Sequence, residues 1–177
     1  MAEAGPPPRQ GLYDPALEHD SCGFGFVADI KGRPSHEIVM QALEVLLNLE
    51  HRGATGADPD TGDGAGILTA LPDGLLRRVF RSEVGGELPP PGRYGAGMVF
   101  LPPSEGGREA IGKLFEDTVR AEGQHLLGWR DVPTENSSLG GTAKASQPII
   151  RQVFIGGGDD VADVAAFERR LYVIRRL

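Results

Sequence analysis

The chain contains a single cysteine, Cys22, which opens the stretch CGFGFVA. A thiol becomes a nucleophile when it loses its proton, and it usually needs a nearby base for this. A cut between Ser21 and Cys22 would supply that base on the same residue. The new α-amino group has a pKa of about 7.7–8.0 and a thiol one of about 8.5, so they can exchange a proton near neutral pH. Gly23 and Gly25 would let a substrate or a neighbouring backbone approach closely. The pattern predicts an N-terminal cysteine nucleophile.

A lone cysteine also has a simpler interpretation as a small buried hydrophobic residue, because free cysteine is among the most buried residue types. In that case residues 1–21 would stay attached and Cys22 would be chemically inert. The protein would then be a non-catalytic binding or assembly module. The residues by themselves leave this alternative open.

The elements that must position Cys22 can be predicted from the periodicity of the sequence. Residues 1–21 are rich in proline and charge, which is typical of an extended leader. From Cys22 the alternation predicts a strand to about residue 30, ended by a turn at 31–34. Ser35 then fits the N-cap of an amphipathic helix that runs to about Glu50.

The rest of the chain alternates between helical and strand-like patterns. The glycine-rich segment 51–66 is predicted to be a loop that leads into an apolar, strand-like run at 67–71. Further strands are predicted at 93–101, 126–130 and 148–155, and further helices at 105–122 and from about 160 onwards. This order favours a mixed α/β or α+β layered domain over a helix bundle or an all-β sandwich.

Composition excludes several function classes. The 18 lysines and arginines against 25 acidic residues give a net charge of −7, so the basic surface that nucleic-acid binding needs is missing. No apolar run approaches the roughly 20 residues of a membrane-spanning helix, and residues 1–21 do not resemble a signal peptide. One cysteine forms no internal disulfide. We therefore expect a cytoplasmic protein that binds neither nucleic acid nor membrane.

Metal and phosphate sites are not expected either. The spacing of the glycines in TGDGAGI differs from that of a dinucleotide-binding loop. The histidines lack the paired spacing of a zinc site, and Thr69 stands where a calcium loop needs a bidentate glutamate. In FIGGGDD, Asp159 and Asp160 are predicted to cap the last helix and would repel a phosphate. Trp129 is predicted to pack in the core or against the sheet.

Several motifs together are similar to one family. The stretches HDSCGFGFVA, LLNLEHRGATGADPDTGDGAGILTALP, LGWRDVP and FERRLYVIRR closely resemble the start of the large subunit of bacterial glutamate synthase. The resemblance runs from about Tyr13 to Leu177. It implies a class II glutamine amidotransferase of the N-terminal-nucleophile fold, an α+β four-layer αββα sandwich. Residues 1–21 would be the propeptide, and 22–177 the N-terminal portion of a truncated domain.

The resemblance also implies roles for individual residues. Cys22 would attack the side-chain amide of glutamine, release ammonia and form a thioester that water resolves to glutamate. Arg52 would position the nucleophile, and Gly23 and Gly64 would lie at the substrate pocket, with Gly64 in a closely packed loop. From the residues alone, Arg52 fits equally well as a cation that lowers a thiol pKa or as a solvated partner of a helix dipole.

In the full enzyme, the family implies FMN, an iron–sulfur cluster and 2-oxoglutarate as the ammonia acceptor. Electrons would come from an NADPH-linked small subunit or from ferredoxin. No cofactor is expected in this fragment, because one cysteine cannot hold a cluster. The 177 residues contain no Asn-Gly pair to stabilise an oxyanion, so the isolated fragment is expected to have little glutaminase activity. Another class II amidotransferase, such as one serving purine synthesis, is the alternative within the fold.

Overall fold

The computed structural model describes residues 8–11, 14, 23–53, 60, 62 and 64–177. The chain divides into two compact units, residues 1–69 and residues 70–177. Cys22 and most of the predicted leader lie outside the described residues. The predictions made for them therefore stay predictions.

Among its described residues, the first unit contains one α-helix, α1, at His36–Asn48. The predicted cap is confirmed, since Oγ of Ser35 accepts a hydrogen bond of 3.3 Å from the backbone N–H of Ile38. A single 3₁₀ turn, Glu50–Arg52, follows the helix. None of the described residues in 1–69 is buried, so this unit has no hydrophobic core among them.

The predicted strand at 22–30 is wrong for its described part, because residues 23–30 form no strand. A strand needs a hydrogen-bonded neighbour, and alternation in sequence reveals a two-sided segment without showing such a partner. A turn does follow, but at 29–32 and not at the predicted 31–34, since the N–H of Gly32 donates a 2.9 Å hydrogen bond to the carbonyl of Asp29. Asp29 accepts a 2.8 Å hydrogen bond from the N–H of Lys31 and pairs with Arg33 at 2.8 Å. The strand-like run 67–71 is likewise not a strand.

The second unit contains a three-stranded antiparallel sheet, and its three predicted strands are confirmed. The strands are β1 at Tyr94–Leu101, β2 at His125–Asp131 and β3 at Ile149–Gly156. Their order is β1-β3-β2, so β3 is hydrogen-bonded on both edges. In this register Gly156 lies opposite both Tyr94 and His125.

Four helices accompany the sheet. They are α2 at Asp73–Val79, which continues into a π-helical turn at Phe80–Val84, then α3 at Glu105–Ala121, α4 at Gly141–Ala145 and α5 at Val164–Arg176. The helix predicted at 105–122 is confirmed as α3. The helices α2 and α4 were not predicted, because each is too short to show a clear 3.6-residue period.

The last helix begins later than predicted. Its N-cap is Asp163, whose Oδ1 accepts a 2.7 Å hydrogen bond from the N–H of Ala166. The prediction that Asp159 and Asp160 cap this helix is wrong. Asp160 instead lies 3.5 Å from Arg170, one oxygen to one guanidinium nitrogen.

The core of the second unit lies on both faces of the sheet. Val153 and Ile155 of β3 pack with residues of α3 and α5, whereas Phe154 between them packs with residues of α2 on the opposite face. The rings of Phe154 and Phe80 meet edge to face with their centroids 5.0 Å apart. The mixed helix-and-strand class is confirmed. The described residues contain one three-stranded sheet, and the second sheet of a four-layer sandwich is not among them.

Candidate functional site

Two of the predicted site residues, Gly23 and Arg52, lie against each other. A Cβ atom placed on Gly23 would lie 3.2 Å from Cγ of Arg52 and 2.8 Å from Cδ2 of Leu49. The backbone of Gly23 therefore packs directly beneath these two side chains. The space that glycine leaves here is filled by side chains that follow helix α1, whereas the sequence predicted room for a substrate or a backbone.

The geometry at the end of helix α1 explains why the side chains of Leu49 and Arg52 both contact Gly23. The helix stops at Asn48, and the N–H of Arg52 donates a 2.8 Å hydrogen bond to the carbonyl of Leu49. This 3₁₀ turn brings residues three apart onto the same side of the chain. Leu49 and Arg52 thus both reach the backbone of Gly23.

The Arg52 side chain is exposed and makes no ion pair with a described residue of its unit. It also follows the C-terminus of α1, where the helix dipole favours a cation. The geometry is compatible with both interpretations of this arginine, and Cys22 lies outside the described residues.

Gly64 has a different reason to be glycine. Its φ is +88°, in a region that residues with side chains rarely adopt. No described atom lies within 4 Å of the position that its Cβ would take. The close packing predicted for Gly64 is thus not seen among the described residues, and its role at the pocket stays a prediction.

The glycines after β3 do not form an anion site. The N–H of Gly157 donates to the carbonyl of Arg93 at 2.9 Å, and the N–H of Gly158 donates to Oε1 of the buried Gln124 at 3.0 Å. These amides already donate hydrogen bonds inside the protein, so they cannot bind a phosphate.

In the described part of the chain, no group of three or more histidine, cysteine, aspartate or glutamate residues could hold a metal ion. No helix there is long and apolar enough to cross a membrane.

A charged cluster in the second unit was missed at the level of sequence. The hydroxyl of Tyr94 donates a 2.7 Å hydrogen bond to Asp73, and Nε of Arg77 donates a 2.9 Å bond to the other oxygen of that carboxylate. The Arg77 guanidinium also donates to the carbonyls of Leu88 and Pro89 at 2.7 and 2.5 Å. The i, i+4 spacing of Asp73 and Arg77 is the signal that could have found the pair.

The contacts in this cluster shift the pKa values of Asp73 and Tyr94. The hydrogen bond from Arg77, and then that from Tyr94, holds the pKa of Asp73 below its usual value. Burial, and then the hydrogen bond to Asp73, raises the pKa of Tyr94 to about 12. Because every partner here comes from within the fold, we interpret the cluster as a structural tie between α2 and β1.

Trp129 lies in β2 and packs against the hydrophobic core, as predicted. Its ring meets that of Phe115 edge to face, with centroids 5.4 Å apart, and its Nε1 donates a 3.1 Å hydrogen bond to Glu116. The Arg151 guanidinium lies 5.2 Å from the centre of the indole ring. This indole is a packing residue between β2 and α3.

Comparison with known proteins adds to this geometry. The sequence profile of the family described as "Glutamine amidotransferases class-II" matches residues 22–177, so the match begins at Cys22. The "Glutamate synthase [NADPH] large chain" of Bacillus subtilis is 48% identical over 170 residues, which cover 96% of this chain and 11% of that protein. The "Ferredoxin-dependent glutamate synthase 2" of Synechocystis is 43% identical over 162 residues, which cover 90% of this chain and 10% of that protein.

A eukaryotic relative shows the same pattern. The "Glutamate synthase [NADH]" of Schizosaccharomyces pombe is 43% identical over 176 residues, covering 96% of this chain and 8% of that protein. The chain thus spans about a tenth of the length of these curated relatives. The similarity to the Bacillus subtilis protein covers more of the chain than residues 22–177 can supply, so it extends into residues 1–21. The chain belongs to the class II glutamine amidotransferases and is homologous to the N-terminal domain of glutamate synthase.

Proposed function

We propose that this chain is the glutamine-hydrolysing part of a glutamate synthase, with Cys22 as its nucleophile after removal of residues 1–21. One observation carries the proposal: the family match begins at the single cysteine of the chain. The contact of Gly23 with Arg52 supports it, because Gly23 is bonded to Cys22 and Arg52 is the arginine that the resemblance assigns to the nucleophile.

The reaction needs a nucleophile, a base and water. The free α-amino group of Cys22 takes the thiol proton, and the thiolate attacks the side-chain carbonyl carbon of glutamine. The C–N bond then breaks, and the nitrogen leaves as ammonia with the proton returned from the amine. This leaves a γ-glutamyl thioester on Cys22. Water, deprotonated by the same amine, attacks the thioester carbon, so that glutamate is released and the thiol is restored.

Arg52 would assist this reaction by charge and position. An arginine near a thiol stabilises its thiolate, because the guanidinium stays protonated at any pH at which the enzyme works. The contact with Gly23 keeps the stem of Arg52 next to the residue that follows the nucleophile. Gly64, with its left-handed backbone, is proposed to lie in a loop at the same pocket.

The fold and boundaries of the domain are part of the proposal. Residues 1–21 would be the propeptide, and residues 22–177 would belong to an N-terminal-nucleophile domain with four αββα layers. The sheet β1-β3-β2 would form one of its two β layers. The net charge of −7 and the lone cysteine suit a cytoplasmic enzyme.

In the whole protein, the ammonia would aminate 2-oxoglutarate to glutamate. The electrons would come from an NADPH-linked subunit or from ferredoxin, and the names of two relatives specify these donors, while that of a third specifies NADH. FMN and an iron–sulfur cluster would carry them. The residues of this chain do not fit the cluster, because it takes several cysteine ligands and the 177 residues contain one.

N-terminal sequencing and a glutamine analogue test the proposal. The full-length gene product should begin at Cys22, and a diazoketone analogue of glutamine should alkylate that residue, as peptide mapping would show. Changing Cys22→Ser should abolish ammonia release from glutamine while thermal unfolding stays unchanged. A mature protein that begins at Met1 or Ala2 with an inert thiol would support the binding-module alternative instead.

A further inference from the structure

The glycines that follow Cys22 are matched to side chains at the end of helix α1. A Cβ atom on Gly25 would lie 2.6 Å from Cγ1 of Val45, and one on Gly23 would lie 2.8 Å from Cδ2 of Leu49. Val45, Leu49 and Arg52 are spaced i, i+4 and i+7, so they share one face of the helix and its following turn. Gly25 therefore meets Val45, whereas Gly23 meets Leu49 most closely and also Arg52, at 3.2 Å.

The spacing of the two partners explains this match. Residues two apart in an extended chain are separated by about 6.6 Å, and one helical turn rises about 5.4 Å. Alternate residues of such a segment can thus meet successive turns of a helix. The residues between and after the glycines, Phe24 and Phe26, are each 87% exposed. In the segment 23–26 the glycines therefore face α1 and the phenylalanines face away from it, although the segment is not a strand.

The need for glycine at these two positions is steric. Neither Gly23 nor Gly25 has a positive φ, so their backbone conformations would accept a side chain. Contacts of 2.6 and 2.8 Å are shorter than Cβ atoms make, so a methyl group at either position would force the partner side chain or the segment to move.

We propose that Leu49 and Val45 are positioning residues for the nucleophile. They seat Gly23 and Gly25 on the end of α1, and Gly23, the residue bonded to Cys22, is thereby held beside Arg52. The physical link is covalent, because consecutive Cα atoms are held about 3.8 Å apart, so a shift of Gly23 displaces its neighbour. This inference rests on the proposed function and adds the residues that set the geometry of its site.

Steric complementation in the full-length gene product tests the inference. Gly23→Ala should lower kcat/KM for glutamine hydrolysis by about 10- to 100-fold, as expected for a small misplacement of a reacting group. The double variant Gly23→Ala with Leu49→Ala should recover most of this loss, because the 2.8 Å clash with Cδ2 of Leu49 is removed and only the longer contacts with the Arg52 stem are left. The loss should appear mainly in kcat, since the nucleophile and not the glutamine is displaced.

Exchanging the two rescue substitutions between the two glycine variants tests whether each rescue is specific. Gly25→Ala should be rescued by Val45→Ala and not by Leu49→Ala, while Gly23→Ala should be rescued by Leu49→Ala and not by Val45→Ala. Leu47→Ala is the matched control on the same helix, because that side chain is 74% exposed and provides none of the atoms nearest to either glycine. It should leave kcat/KM unchanged.

Alkylation and thermal unfolding separate the possible failures. If the wild-type protein neither hydrolyses glutamine nor reacts with the glutamine analogue at Cys22, the proposed function is wrong. If the wild type is active but the double variant is no better than Gly23→Ala, or both rescue residues work equally well for both glycines, the inference is overturned. Rescue of the melting temperature without any recovery of kcat would also overturn it, because the contact would then serve folding alone.

Discussion

Arg52 is the residue at which charge and packing can be tested separately. If its guanidinium favours the thiolate of Cys22, then Arg52→Gln should slow alkylation of Cys22 by iodoacetamide about tenfold near neutral pH. An opposite charge nearby shifts a titration by about one pH unit or more, and its removal shifts the titration back. The measurement is the alkylation rate as a function of pH, whose midpoint should move upward.

The matched control for this prediction is Arg52→Lys, which keeps the positive charge and much of the stem over Gly23 but loses the planar fork. It should keep most of the alkylation rate. An unchanged pH midpoint in Arg52→Gln would instead support the solvated, helix-end interpretation of this arginine.

Tyr94 predicts a pH dependence of stability at high pH. Burial raises its pKa to about 12, so the folded state holds the phenol proton more tightly than the unfolded chain does. The stabilisation is fully present below the unfolded pKa of about 10 and is lost as the pH rises toward 12. Tyr94→Phe should remove this loss. Free energies of unfolding, measured from about pH 8 to 12 for both proteins, should differ in slope only above about pH 10, and parallel curves would contradict the assignment.

At the scale of elements, the start of α5 depends on one cap. Because Oδ1 of Asp163 accepts the hydrogen bond from the N–H of Ala166, Asp163→Ala should lower the free energy of unfolding by about 1 kcal/mol. Asp159→Ala is the matched control, since it removes a nearby carboxylate that caps nothing. Urea unfolding of the two variants gives the comparison. An equal effect of both would mean that local charge, and not the cap, stabilises the helix start.

Elements with a long, regular pattern were predictable, and short or unpaired ones were not. The repeats in α1, α3 and the three strands are long enough to show their period, and Ser35 marks the start of α1 through a local hydrogen bond. The segment 23–30 was misassigned because an alternating pattern fits docking on a helix as well as pairing in a sheet. Only the three-dimensional contacts of Gly23 and Gly25 distinguish the two.

The candidate site was predictable to the same limited extent. Cys22 stands out because it is the single thiol, but its link to Arg52 came from the family resemblance. The contact of Gly23 with Leu49 and Arg52 joins residues 26 and 29 positions apart in the chain, and no local pattern encodes such a contact. In the sequence alone, Leu49 is one more apolar residue at the end of an amphipathic helix, and only its contact with Gly23 distinguishes it.

At the scale of the whole molecule, the two units differ in how they are stabilised. All the buried hydrophobic residues of the described part lie in 70–177, on the two faces of the sheet. The described residues of 1–69 include none. Burial of apolar surface is the main source of folding free energy, so most of it should come from the sheet unit. The part of the chain that contains the proposed nucleophile is thus predicted to be the less stable part.

Hydrogen exchange measured on the 177-residue chain tests this difference. The amides of Val153, Phe154 and Ile155 lie in the central strand, bonded on both edges and buried, so they should exchange only through global unfolding. Amides in the middle of α1 are bonded only within a helix that has no buried residue, and they should exchange at least about tenfold faster through local opening. Adding denaturant should leave the exchange of α1 nearly unchanged and accelerate that of β3, because local opening exposes little surface. If the α1 amides were as slow as those of β3, this helix would unfold in the same cooperative unit as the sheet. The placement of Gly23 and Gly25 would then depend on the stability of the sheet core and not on Val45 and Leu49 alone.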